Sequence, residues 1–135
     1  MREYARRQTV LLLRKLASEI RRAANGADPD AIHDLRVAIR RLSRCLRAFS
    51  QFYPGRSWKK ARAMLSELLH TAGAVRDRDI ALELLADARV SRRSPVVSEL
   101  QTERVEAHDA LVRELRRWRD RRFAGQWLGL LGLKR

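Results

Sequence analysis

Residues 28–49 read DPDAIHDLRVAIRRLSRCLRAF. Asp28 is a good N-cap, Pro29 suits the first helical turn, and Asp30 complements the helix dipole. A helix is therefore predicted from Pro29 onward. Ile32, Leu35, Ile39, Leu42, Leu46 and Phe49 recur at helical spacing and form its apolar stripe. With a step of about 100° per residue from Ile32, that stripe centres near roughly 310°. His33, Arg36, Arg40, Arg44 and Arg47 fall between about 40° and 120° on the same wheel. They make one ridge beside the core stripe rather than opposite it, and Arg41 lies off the ridge. From Arg36 to Arg47 the segment holds five arginines and no acid.

Like charges at i,i+4 destabilise a helix by about a few tenths of a kcal/mol per pair. Arg36, Arg40 and Arg44 stack two such pairs without acidic relief. A solvated charge run is the bland explanation, but such a face more often interleaves Glu with its cations. A phosphate-lined partner explains the missing acids, because each guanidinium can pair bidentately with an anion. His33, on the first turn of the ridge, can donate to the same anion.

The flanking segments are also helical. A first helix runs from about Arg2 to Ala24, with Thr9, Leu13, Leu16, Ala17, Ile20 and Ala24 as its stripe, and Asn25-Gly26 ends it. Pro54-Gly55 stops the second helix. A third runs from about Ser57 to Ala72, with Trp58, Ala61, Leu65, Leu68 and Ala72 inward and Gly73 as its breaker. A further segment starts near Asp77 or Asp79, either of which could cap it, and carries Ile80, Leu84 and Ala88 on one side. Ser91 to Pro95 reads as a loop ending in a second cap-plus-proline signal. The last long helix runs from about Pro95 to Arg121, with Val97, Leu100, Ala107, Leu111, Leu115 and Trp118 inward. Phe123 to Leu133 is an apolar end that extends this helix or folds back. There is no period-2 alternation, so the fold class is all-α. Four amphipathic helices with short connections predict an antiparallel helical bundle occupying the whole of 1–135 as one domain.

Arg104 falls in the middle of the last inward stripe, where an apolar residue is expected. A buried cation is costly unless paired, so Arg104 either meets an acid from another helix or points into an anion-binding cavity. Tyr53 and Trp118 sit at core-like helical positions, so the aromatics read as core rather than as base-stacking surfaces.

Composition extends the charge argument to the whole chain. Its 135 residues carry 30 Lys+Arg against 16 Asp+Glu, a formal net charge of +14. Only Lys15, Lys59, Lys60 and Lys134 among those cations are lysines. The excess points to a polyanionic partner. With 45% hydrophobic residues the chain can build a core, which excludes a disordered basic tail. No run of about 18 apolar residues offers a membrane span, and no membrane partner is expected. Met1-Arg2-Glu3-Tyr4 is charged at once, so no secretory signal is expected. The single Cys45 excludes an internal disulfide and fits a reducing cytoplasm. No G-x-S-x-G, P-loop, H-E-x-x-H or G-x-G-x-x-G is present. His70 and His108 have no metal-ligand spacing. Asp77 and Asp79, flanked by Arg, read as structural partners and caps. Neither an enzyme, nor a cofactor, nor a metal site is expected.

Two stretches resemble a known family. His33-Asp34-Leu35-Arg36-Val37-Ala38-Ile39-Arg40-Arg41-Leu42 resembles the signature helix of the CHAD domains, the conserved histidine α-helical domains. Gly73-Ala74-Val75-Arg76-Asp77-Arg78-Asp79-Ile80 resembles their second signature, a Gly-x-Val-Arg-Asp-x-Asp-Val turn into a helix. Both stand in the family's order and separation, and the helix pattern is similar from about Tyr4 to Leu131. The resemblance implies a helical bundle whose basic groove binds inorganic polyphosphate, and an association with polyphosphate granules. His33, Arg36, Arg40 and Arg41 match the first motif, Arg76 matches the second, and Arg104 matches a basic position of the last helix more loosely. Asp77 and Asp79 would orient basic side chains and cap the helix.

The chain departs from the family in two respects. Ser43 stands where the family commonly has a further Arg, a loss that Arg44 and Arg47 would offset. The chain also has about half the family's usual length, and members usually pack two similar bundles around a shared groove. A homodimer is therefore expected, with a two-fold axis replacing the internal symmetry and the apolar tail Trp127 to Leu133 as its contact. The sequence thus predicts a cytoplasmic, granule-associated polyphosphate-binding module. Its predicted site is His33, Arg36, Arg40, Arg41, Arg44, Arg47, Arg76 and Arg104. Nucleic acid is the rival ligand, and it would call for stacking aromatics or a groove-reading helix.

Overall fold

A computed structural model describes residues 1–26 and 28–133. The helices are α1 (Arg2–Ala24), α2 (Pro29–Ala48), α3 (Ser57–Asp87), α4 (Pro95–Asp120) and α5 (Phe123–Leu130), with a 3-10 turn at Ser50–Phe52. No strand occurs among the described residues. The start of α2 follows its cap chemistry: the Ala31 amide donates to Asp28 Oδ1 at 2.8 Å, and Pro29 occupies the first turn.

Four helices close a ring, α1 on α2, α2 on α3, α3 on α4 and α4 on α1. Side chains show that neighbours run antiparallel. Arg22, near the end of α1, donates to Asp34, near the start of α2, at 2.5 Å. Thr9, near the start of α1, meets Cys45, near the end of α2, at 3.4 Å. The stripes read from the sequence fill the centre of the ring. Leu13, Leu16, Ile20, Ile32, Leu35, Ile39, Leu42, Leu46, Leu65, Leu68, Leu111 and Leu115 are fully buried. The apolar period of each helix thus became one contiguous core.

One buried polar knot ties α1 to the end of α2. Thr9 Oγ1 donates to the Ala5 carbonyl at 2.7 Å, so its lone pairs remain to accept from the Tyr53 hydroxyl, also at 2.7 Å. Burial holds the Tyr53 hydroxyl well above the ordinary phenol pKa.

The region around Gly73 differs from the sequence expectation. Gly73 does not break the third helix, and α3 continues to Asp87. Neither Asp77 nor Asp79 is therefore a cap. An internal Gly weakens a helix by only about 0.5–1 kcal/mol, and packing of α3 against both α2 and α4 outweighs that. The 31 residues of α3 span about 46 Å, and the 20 residues of α2 about 30 Å. The distal part of α3 and the start of α4 therefore project past α1 and α2 as a two-helix overhang. Ile80 and Leu84, on one side of it, are 38% and 63% exposed.

Of the two expectations for the C-terminal end, the structure takes the fold-back. Arg122, in the left-handed conformation (φ 49°), turns the chain back, and α5 folds onto the bundle. Trp118, Phe123 and Trp127 pack with ring centroids 4.9–5.6 Å apart. Leu131 and Leu133 are buried, and the Leu133 carbonyl accepts from Arg6 Nε at 3.1 Å. The main apolar anchors of Trp127 to Leu133 are spent on their own core, which removes this tail as the expected contact between copies.

Candidate anion-binding groove

The arginine ridge of α2 rises along the edge where α2 meets α3. Arg40, Ser43, Arg44 and Arg47 of α2 face Arg62 and Ser66 of α3 across an open cavity of about 370 Å³, with Ile39, Leu65 and Leu69 also lining it. Next to it, Arg36 and Arg40 face Ser66, His70, Gly73, Ala74, Asp77 and Arg78 across a second cavity of about 590 Å³. Arg40, Ser66 and Leu69 belong to both, so the two form one continuous groove. The step from Arg36 to Arg47 alone covers about 16 Å of helix. The shape suits a linear ligand.

Six arginines and His70 line this groove, against one carboxylate, Asp77. Arg36 lies deepest among the ridge residues. Its Nε is buried with no hydrogen-bond partner among the described residues. Burial, followed by the charge of Arg40, lowers its pKa below the ordinary guanidinium value, while Asp77 acts the other way. A guanidinium still keeps its proton. A buried donor left unmade costs about 1–3 kcal/mol, a cost that an anion in the groove would offset.

The structure sorts the residues chosen from sequence. Arg36, Arg40, Arg44 and Arg47 come together on one wall. His33 is exposed one turn before Arg36 and lines neither cavity. Arg41 is exposed and also stands outside, as its place off the ridge implied. Arg76 is close enough to Arg36 for their charges to interact, yet it lines neither cavity and lies 3.9 Å from Glu83. Arg104 resolves to the first of its two readings: it pairs with Asp79 of α3 rather than pointing into an anion cavity. The aromatic expectation is met, since Tyr53, Trp118, Phe123 and Trp127 are buried and present no stacking platform.

Sequence reasoning missed the second wall. Arg62, Ser66 and His70 repeat at i,i+4 beside the α3 stripe, the same signal that exposed the α2 ridge. Reading Gly73 as a helix end separated them from Asp77 and Arg78, which share the wall. Among the described residues no cluster of three His, Cys, Asp or Glu stands ready to hold a metal. No helix there is long and apolar enough to cross a membrane.

The family model of the CHAD domain matches residues 9–135. No curated protein and no solved structure matches.

Proposed function

The chain belongs to the CHAD-domain family, and from that premise we propose that it binds inorganic polyphosphate along the α2/α3 groove. The family is associated with polyphosphate binding in general. The observation that carries the reading to these residues is the groove itself, six arginines facing one carboxylate along two joined cavities. Phosphate groups spaced along a flexible chain would pair with Arg36, Arg40, Arg44 and Arg47 in succession. Outside the groove, Arg76 would add to the field, and His33 would extend the track at the start of α2.

Binding is dominated by counterion release, so affinity falls steeply with salt; the DNA rule of about 0.9 log per phosphate contact sets the scale. The test is titration with long-chain polyphosphate at moderate salt, for wild type and for the double variant Arg36→Ala/Arg40→Ala. A double variant that binds as wild type does would overturn the assignment. Competition at fixed salt between polyphosphate and DNA or RNA separates this reading from nucleic-acid binding, which a preference for nucleic acid would favour.

On this reading the protein is a binding module and not an enzyme. Phosphate release from polyphosphate should stay at background with and without Mg²⁺. The setting is the cytoplasm, at polyphosphate granules, which a fluorescent fusion imaged against granule stain would test. Two copies pair, and with the tail buried the contact moves to the overhang, where Ile80 is partly and Leu84 largely exposed. Solution mass with and without polyphosphate tests the pairing, and a strict monomer under both conditions would end it.

A further inference from the structure

Arg62 stands on α3, across the groove from the α2 ridge, and lines the same cavity as Arg40, Arg44 and Arg47. It is half-buried. Its Nε donates to Ser43 Oγ at 3.2 Å. No carboxylate among the described residues lies within ion-pair distance of it, whereas Arg76, Arg78 and Arg104 further along the α3/α4 hairpin each have one. The contact with Ser43 uses the inner edge of the guanidinium. Both terminal amino groups of this groove-lining residue are left without a carboxylate among the described residues, and their end-on fork is the geometry that matches two phosphate oxygens. On the α2 wheel, Ser43 lies at about 20°, between the core stripe and the ridge. A longer side chain there would occupy the space that Arg62 enters.

We propose that Arg62 is a phosphate-binding residue of the groove and that Ser43 is its positioning residue. The site is then two-walled. A polyphosphate chain is gripped from α2 by the ridge and from α3 by Arg62, so ligand binding also clamps the two helices together. This inference rests on the polyphosphate reading of the groove and adds a residue that lies outside both sequence signatures.

The test compares Arg62→Ala, Arg62→Lys and Ser43→Ala with wild type and with Arg36→Ala/Arg40→Ala, each checked for folding by thermal melting. Long-chain polyphosphate is titrated at several salt concentrations. Arg62→Ala should lose about tenfold in affinity and lower the salt slope by about one contact. Arg62→Lys should keep the slope and recover part of the affinity, since the charge remains but the fork does not. Ser43→Ala should lose about threefold with an unchanged slope, the mark of a residue that orients a cation without supplying one. If Arg62→Ala matches wild type in both affinity and slope while Arg36→Ala/Arg40→Ala is weakened, the groove stands and the role of Arg62 falls. If the wild type binds no polyphosphate, both fall together. Should Arg62→Ala fail to fold, Arg62→Lys with wild-type affinity at every salt concentration would overturn the fork.

Discussion

The groove and the overhang use the same residue type in opposite ways. In the groove, Arg36, Arg40, Arg44, Arg47 and Arg62 have no carboxylate within ion-pair distance among the described residues. Past Gly73, Arg76 faces Glu83 at 3.9 Å, Arg78 faces Glu103 at 3.5 Å and Arg104 is paired with Asp79. Arg78 stands at the border, lining the groove while tied to the overhang. An arginine beside its counterion has part of its field neutralised within the fold, and one without keeps its whole field for a ligand. Net charge cannot tell these apart, and only the location of the acids does.

The largest effect should come from emptying the groove wall. Arg36→Ala/Arg40→Ala should weaken polyphosphate binding by about a hundredfold, from two charge-assisted contacts of about 1.5 kcal/mol each. Thermal stability should hold or rise slightly, because an unrelieved i,i+4 repulsion disappears. Binding isotherms and a melting curve on the same preparations check both halves.

The overhang should respond in reverse. Asp79→Asn leaves Arg104 half-buried without its anion, and denaturant unfolding should show a loss of about 1–3 kcal/mol, below that for a fully buried pair. Polyphosphate affinity should be unchanged. A loss of affinity there would merge the two regions into one functional surface.

Tyr53 supplies a control from the opposite end of the bundle. Its hydroxyl is held protonated in the fold above its ordinary pKa of 10.0. The stability from this neutral knot is therefore complete below about pH 10 and declines as pH rises from there towards the folded-state pKa. Tyr53→Phe should remove that alkaline decline, cost about 1 kcal/mol at neutral pH through the lost hydrogen bond to Thr9, and leave binding intact. Chemical denaturation from pH 8 to 11 reads it.

The smallest effect lies where the two regions meet. A Cβ at Gly73 would meet nothing within 4 Å. Gly73→Ala should stabilise α3 by about 0.5–1 kcal/mol in a melting experiment, since it limits the unfolded chain without strain in the folded one.

The sequence by itself determined the all-α class, the start of α2 and the large aliphatic side chains at the centre of the core, from Leu13 on α1 to Leu115 on α4, because local cap chemistry and a 3.6-residue period are written along one helix at a time. The same logic placed Arg36, Arg40, Arg44 and Arg47 on one face. Only the tertiary structure decided what that face looks onto. The fate of Gly73 depended on α2 and α4 packing across it, which no local propensity encodes. Arg104 looked like a groove cation until Asp79, 25 residues away, came within reach. The apolar tail looked like a docking surface until Arg122 turned it back onto Trp118. The i,i+4 spacing of Arg62, Ser66 and His70 was legible, but that Arg62 meets Ser43 and faces the α2 ridge was decided by the packing of α3 on α2. Charges and apolar stripes are properties of a chain, but whether a charge is neutralised or an apolar surface covered is a property of neighbours, and the fold alone chooses those.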